Sequence, residues 1–257
     1  MRAPDSVRHR ESDRVSLAGP GIDYGERLRL GIVVPSGNVI AEPQIRAMLP
    51  PGVAPYFTRL RLRGSSESEL MAMLDGVEEA TALLADAAVD QLVFHCTAVT
   101  TFSPSLGADI GERMRASSGI PSMTTAEAIT AALGALRARD IVLLTPYLAG
   151  PHRREIEFVH AHGGIVLADA ALGIDTNTEM ARLSPEELFE FVVRHRNPDA
   201  QAYFLSCTAL RSAEIIEPLE GELGRPVLTS NQAMVWHALR GGGIEDTVDG
   251  FGRLLRR

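Results

Sequence analysis

The sequence predicts an α/β protein built from two similar halves, each a parallel sheet covered by helices. Three observations carry that expectation. Apolar, strand-like runs alternate with amphipathic helical stretches from about residue 28 to 242. Landmarks recur at one spacing: Pro35 and Pro146 stand 111 residues apart, and so do Cys96 and Cys207. Whole words also repeat, with "HCTAVT" (95–100) and "SCTALR" (206–211) each closing an apolar run. Likewise "GIPSMTTAEAITAALGAL" is echoed by "GRPVLTSNQAMVWHAL", the prolines Pro121 and Pro226 lying 105 residues apart. A period near 111 is a duplicated domain, too long for a solenoid repeat.

The first half opens with a strand at 28–34, a "PSGN" turn and a helix from Ala41 to Met48. A strand over 52–62 follows, then one long amphipathic helix over 66–88 with Ser66 or Ser68 as its cap. "QLVFHC" (91–96) reads as a buried strand, 105–117 as a helix, and "GIPSMTT" leads into the helix 126–138. From Asp140 the order restarts: strand 140–145, the loop "PYLAG", helix 151–163, and strand 164–174. A helix capped by Ser184, the strand 200–207, a helix over 210–224 and "RPVLTSNQAMVWHALRGG" complete the pattern. The expected organisation is a tail over 1–27, a first module over 28–122 plus 232–257, and a second module over 123–231.

Composition narrows the chemistry. Hydrophobic residues make up 45% and charged residues 23%, the balance of a soluble globule. No apolar run approaches the ~20 residues of a membrane span, and the N-terminus has no signal-peptide core, so the expected location is cytoplasmic. A net charge of −8 and the want of a basic, aromatic-laced stripe disfavour nucleic acid as a partner. All 25 basic residues are arginine, which excludes a lysine Schiff base and a P-loop. Neither cysteine has the His or Cys neighbours of a zinc site, so no metal is expected.

Ligands of open parallel sheets gather outside the carboxyl ends of the strands. "PSGN", both "CTA" words and "PYLAG" fall there, so two facing modules would bring one thiol to each side of a shared cleft. Peptide N–H groups after each cysteine, at the start of a helical segment, would favour thiolate and cradle a carboxylate with the Thr97 and Thr208 hydroxyls. Taken singly, the supporting residues have plainer readings. Asn38 suits a turn, Tyr147 packing, Asn177 a cap, and His95 a strand end facing away from the cleft. Arg182 and Arg211 read as helix-surface charges and Glu42 as a first-turn acid.

The chain resembles the aspartate/glutamate racemase superfamily, in its branch of maleate cis-trans isomerases and arylmalonate decarboxylases. "GIVVPSGN", Cys96 in "HCTAVT", "LLTPY" (143–147), "DTNTEMARLSP" (175–185), Cys207 in "SCTALR" and "GRPVLTSNQAMVWHAL" carry the resemblance over about 28–257. It implies two pseudo-symmetric flavodoxin-like modules, an active site in the cleft between them, and no cofactor. Cys96 would add to the alkene of a small dicarboxylate. Cys207, on the opposite face, would handle the proton or stabilise the carbanionic intermediate. Pro35, Ser36, Asn38, Thr97, Ala98, Tyr147, Asn177, Thr208 and Ala209 would surround the substrate. In this reading the protein is a maleate isomerase-like enzyme acting on a small carboxylic acid.

Departures from the branch are Gly37 and Val39 in the first loop and the polar "TAVTTFSP" after Cys96. The alternatives are an amino-acid or hydantoin racemase exchanging protons between two thiols, and a non-catalytic acid-binding protein. A decarboxylase fits less well, because that enzyme carries glycine where Cys96 stands. Small αβ enzymes of this kind often form homo-oligomers, which is analogy alone.

Overall fold

Short parallel strands assemble into two four-stranded sheets with the same internal order. The computed structural model describes residues 22–64 and 66–257, so most of the tail expected over 1–27 falls outside the described residues. The first half runs β1 (Leu28–Pro35), α1 (Ala41–Met48), β2 (Val53–Leu60), α2 (Glu67–Ala72), α3 (Val77–Asp86) and β3 (Gln91–Phe94). It continues through α4 (Thr97–Thr100), α5 (Leu106–Ser118), β4 (Ser122–Thr124) and α6 (Thr125–Leu136). The second half holds β5 (Asp140–Thr145), α7 (Ala149–Ala161), β6 (Ile165–Ala171), α8 (Asn177–Met180) and α9 (Pro185–Arg194). It closes with β7 (Ala202–Leu205), α10 (Ile216–Leu223), β8 (Val227–Thr229) and α11 (Ser230–Gly241).

The sheet orders are β2-β1-β3-β4 and β6-β5-β7-β8. The duplication extends to the ladder register: Leu30 pairs with Gln91 as Ile141 pairs with Ala202, and Val33 with Phe94 as Leu144 with Leu205. Strand order therefore reverses between β1 and β3 in one half and between β5 and β7 in the other. Those are the points where loops diverge and leave room for a ligand. Both "CTA" words sit there, as expected.

Local chemistry explains the element ends. Thr124 and Thr229 head α6 and α11 with reciprocal capping boxes to Glu127 and Gln232, and Ser184 does the same for α9 with Glu187. Two expectations need correction. The helix expected over 66–88 is broken: Ser66 caps α2, a 3-10 turn follows at Met73–Gly76, and α3 begins at Val77. At the break Gly76 has φ −100° and ψ 7°, and a Cβ there would meet Leu60 Cδ2 at 2.6 Å, so the turn packs directly on the end of β2. The helix expected directly after Cys207 is also absent. Residues 208–210 form a turn, a 3-10 turn spans Ala213–Ile215, and α10 starts only at Ile216. Cys207 has φ +113°, which redirects the backbone before a helix can start.

One apolar core joins the halves, running from Ile32 and Val34 of β1 through Ile129 and Ala132 of α6 to Leu143, Phe204 and Met234. A buried polar seam runs alongside it. The His95 ring lies between Thr125 Oγ1 (3.0 Å) and Asn231 Oδ1 (2.8 Å). Asn231 Nδ2 donates to Gln44 Oε1 and to the Thr208 carbonyl, and Gln44 Nε2 donates to the Leu210 carbonyl. His95 is thus locked in this seam. Burial lowers its pKa to about 4, so it stays neutral when folded. The depressed value means that stability tied to His95 is present above the unfolded value of 6.5 and lost as pH falls through about 4.

Asn231→Ala leaves His95 Nε2 and Gln44 Oε1 without their partner in a dry seam. We expect it to lower unfolding free energy by about 3 kcal/mol in urea titration at neutral pH; an unchanged midpoint would show the seam to be dispensable.

Candidate active site

Four loops at the carboxyl ends of β1, β3, β5 and β7 converge on the two thiols. Both cysteines are free and buried, Cys96 at 4% and Cys207 at 3% exposure. Ala98 packs against the clusters holding each of them. Thr97 Oγ1 donates to Ser230 Oγ (2.9 Å), which accepts the Cys207 N–H (3.1 Å), so two hydrogen bonds separate one cysteine word from the other.

The repeated word adopts two backbones. Cys96 is extended, with φ −150°, and caps the single turn α4, whose Ala98 and Val99 N–H groups favour its thiolate. Cys207 has a positive φ, its sulfur accepts the Ala209 N–H at 3.3 Å, and it touches the Met180 sulfur at 3.7 Å. The Tyr147 hydroxyl donates to the same sulfur. Tyr147 follows β5, where Thr145 Oγ1 accepts its N–H and bonds His152, which in turn reaches Asp169.

The expected lowering of thiol pKa is reversed. Burial pushes Cys96 up to about 12, and negative charge on Cys207 would push it further. Burial likewise raises Cys207 to about 12, against the pull of the Ala209 N–H and Tyr147. Tyr147 is held well above its ordinary value, by burial first and then by any charge at Cys207, Glu155 or Cys96. Helix N–H groups are worth less here than the loss of water.

The other expected residues are distributed as follows. Asn38 is buried; its Oδ1 accepts the Ile40 and Ala41 N–H groups at the start of α1, and its Nδ2 reaches across to Thr208 Oγ1 at 2.9 Å. Pro35 ends β1, and the exposed Ser36 bonds the Leu62 backbone. Asn177 is the first residue of α8, capped by Thr176, and its Nδ2 is buried with no hydrogen-bond partner. A Cβ on Gly37 would lie 3.4 Å from Asn177 Cβ, so the first loop meets the Asn177 segment. A hollow of about 430 Å³ lined by Ser36, Gly37, Arg63, Thr176 and Thr178 opens beside them. A larger hollow, about 610 Å³, lies at the amino end of β2 around Arg46 and Gly52, the wrong end of the sheet for this site. Glu42 pairs with Arg59, and the exposed Arg211 lies 3.5 Å from Glu214.

Sequence reasoning missed Glu155 and Ser230. Glu155 is fully buried on α7; one carboxylate oxygen accepts from Ser206 Oγ at 2.6 Å and the other has no partner. Burial raises it to about 8, so it is neutral at physiological pH. Its signal was the buried stripe His152, Glu155, Phe158 and Val159 at helical spacing. Among the described residues, no group of three or more His, Cys, Asp or Glu side chains could hold a metal ion, and no helix is long and apolar enough to cross a membrane.

A family model for arylmalonate decarboxylase matches residues 30–255. The chain is 30% identical to the maleate isomerase of Nocardia farcinica over 246 residues, 89% of this chain and 96% of that protein. It is 32% identical to the arylmalonate decarboxylase of Bordetella bronchiseptica over 145 residues, 55% of this chain and 60% of the relative. A crystal structure of a cysteine-to-serine mutant of the Nocardia farcinica enzyme, with a covalently bound succinylcysteine intermediate, superposes with a TM-score of 0.84 at 26% identity. That match covers 89% of this chain and 98% of the other. The chain therefore belongs to the arylmalonate decarboxylase family, with maleate isomerases among its relatives.

Proposed function

We propose that this protein is a maleate cis-trans isomerase working through a cysteine adduct. The observation that carries the reading is the pair of buried thiols, Cys96 and Cys207, near enough that charge on Cys207 would raise Cys96, with the Tyr147 hydroxyl on Cys207. The Nocardia farcinica relative, caught with succinylcysteine, supports an adduct of the same kind here.

In the proposed cycle the Cys96 sulfur bonds to one alkene carbon and gives up its proton to a carboxylate of the dianionic substrate. The alkene electron pair moves to the neighbouring carbon, spread into its carboxylate, and Cys207 delivers its proton there, which leaves Cys207 as thiolate. The net change in the substrate is one thiol added across one double bond. The central carbon–carbon bond is now single and rotates. The Cys207 thiolate then takes the proton back, the electron pair re-forms the double bond, and the Cys96 sulfur leaves, recovers its proton from the carboxylate and releases fumarate. Asn177 Nδ2 and the one hydrogen of Asn38 Nδ2 not given to Thr208 are the donors left for the carboxylates, while the Tyr147 hydroxyl and the N–H groups of Ala98, Val99 and Ala209 face the two sulfurs and favour charge there. The Thr97 hydroxyl already donates to Ser230, and the Thr208 hydroxyl accepts from Asn38.

The resting pocket is neutral. With both thiols, Tyr147 and Glu155 protonated, a dianion meets dipoles rather than like charge.

Cys96→Ala abolishes maleate turnover in a fumarate-release assay; full activity in that variant would remove the nucleophile role. Cys207→Ser incubated with maleate gains the mass of one maleic acid at Cys96 in peptide mass spectrometry. Deuterium exchange at a substrate α-carbon with no adduct would instead indicate two-thiol proton exchange. Glu155 supplies a pH test. Its raised value means that stability tied to its protonated form is complete below 4.5 and lost as pH rises through about 8. Glu155→Gln should therefore flatten the fall in urea stability between about pH 5 and pH 8, by a few kcal/mol at the alkaline end.

A further inference from the structure

Ser230 stands where the two halves of the site touch, and nothing in the proposed cycle uses it. It is the first residue of α11, fully buried, and its position is fixed by the Thr229–Gln232 capping box around it. Its oxygen accepts two hydrogen bonds, one from Thr97 Oγ1 beside Cys96 and one from the backbone N–H of Cys207. The corresponding residue of the first half is Thr125, 105 positions earlier and likewise the first residue of its helix. Thr125 bonds only within its own half of the strand pattern, to the Phe94 carbonyl and the His95 ring. The duplication has thus diverged at this point: one hydroxyl ties down its own strand end, and the other bridges the two cysteine words.

The bridge meets Cys207 at an unusual place. Cys207 is one of three non-glycine residues with positive φ among the described residues, and the matching Cys96 is extended. The direction of the Cα–Cβ bond, and so of the sulfur, depends on that φ. An L-residue leaves such a conformation when nothing holds it. The Cys207 N–H bond to Ser230 and the Ala209 N–H bond to the Cys207 sulfur are the restraints the chain provides.

We infer that Ser230 is a positioning residue, whose hydroxyl oxygen holds Cys207 in its left-handed conformation and fixes its sulfur relative to Cys96. This rests on the isomerase reading for the step it affects, namely proton delivery by Cys207, but not for the geometry it sets.

Ser230→Ala should lower kcat for maleate about 100-fold while KM moves less than about threefold, the pattern of a misplaced reacting group. Ser230→Thr, which keeps the hydroxyl, should recover about tenfold of that loss. Iodoacetamide labelling followed by peptide mass spectrometry reads the same geometry without turnover. The ratio of Cys207 to Cys96 labelling rates should change at least about tenfold in Ser230→Ala, whereas general loosening would raise both rates together. If the wild-type protein fails to isomerise maleate, the isomerase reading falls and the labelling ratio still tests Ser230. Should Ser230→Ala not fold, Thr97→Val removes the bridge from the other side and should shift the ratio about threefold. A ratio within about twofold of wild type in whichever of these variants folds overturns the inference.

Discussion

Everything in the site depends on a seam of buried polar groups that is completed by partners from the opposite half of the chain. Asn231 serves His95 and Gln44 from one half and the Thr208 carbonyl from the other, Asn38 reaches Thr208, and Ser230 joins Thr97 to Cys207. Each of these groups would be costly to bury alone. Satisfied together, they leave the two sheets one relative placement. The apolar core supplies most of the drive to associate, but it is non-directional and would tolerate small slides. The hydrogen bonds do not. Placement of two sulfurs to within a fraction of an ångström is a task for the second kind of interaction.

The electrostatics follow from the same seam. Its groups are all neutral, and the thiols, Tyr147 and Glu155 are pushed toward their protonated forms by burial. A chain with 25 arginines and no lysine places none of its cations among the groups bonded to either cysteine. Charge therefore arrives with the substrate and is met by oriented N–H and O–H groups. Such dipoles are already aligned before any bond changes, so they need not reorganise as electrons move.

Much of this was legible in the sequence. The 111-residue spacing of two prolines and two cysteines foretold a register that repeats pair for pair between β1·β3 and β5·β7. Asn38 and Tyr147, which the family resemblance implied for the site, fall beside Cys207 or its neighbour Thr208. What escaped was set by tertiary contact. The stretch 66–88 keeps helical periodicity across Gly76, where the chain instead makes a 3-10 turn packed on Leu60. The words around Cys96 and Cys207 are nearly the same, so no local rule could give one an extended and the other a left-handed backbone. A helix start beside each thiol argued for thiolate, but the argument could not weigh complete loss of water. Glu155 lay in plain view on an apolar stripe and was passed over because acids are seldom fully buried.

The two jobs of Asn38 have a consequence for how this site could change. Its side-chain oxygen takes the first N–H groups at the start of α1 while its amide nitrogen spans to the other sheet, so one side chain is both helix cap and cross-brace. An aspartate would keep the first job and could keep the second only by accepting from the Thr208 hydroxyl, with a charge buried among neutral groups. A serine could keep the first and would be too short for the second. Drift toward a different acid is therefore steered away from this position, and at Gly37 beside it even one methyl group would press on the Leu62 carbonyl at 3.3 Å and on Asn177 Cβ at 3.4 Å, at the rim of the hollow.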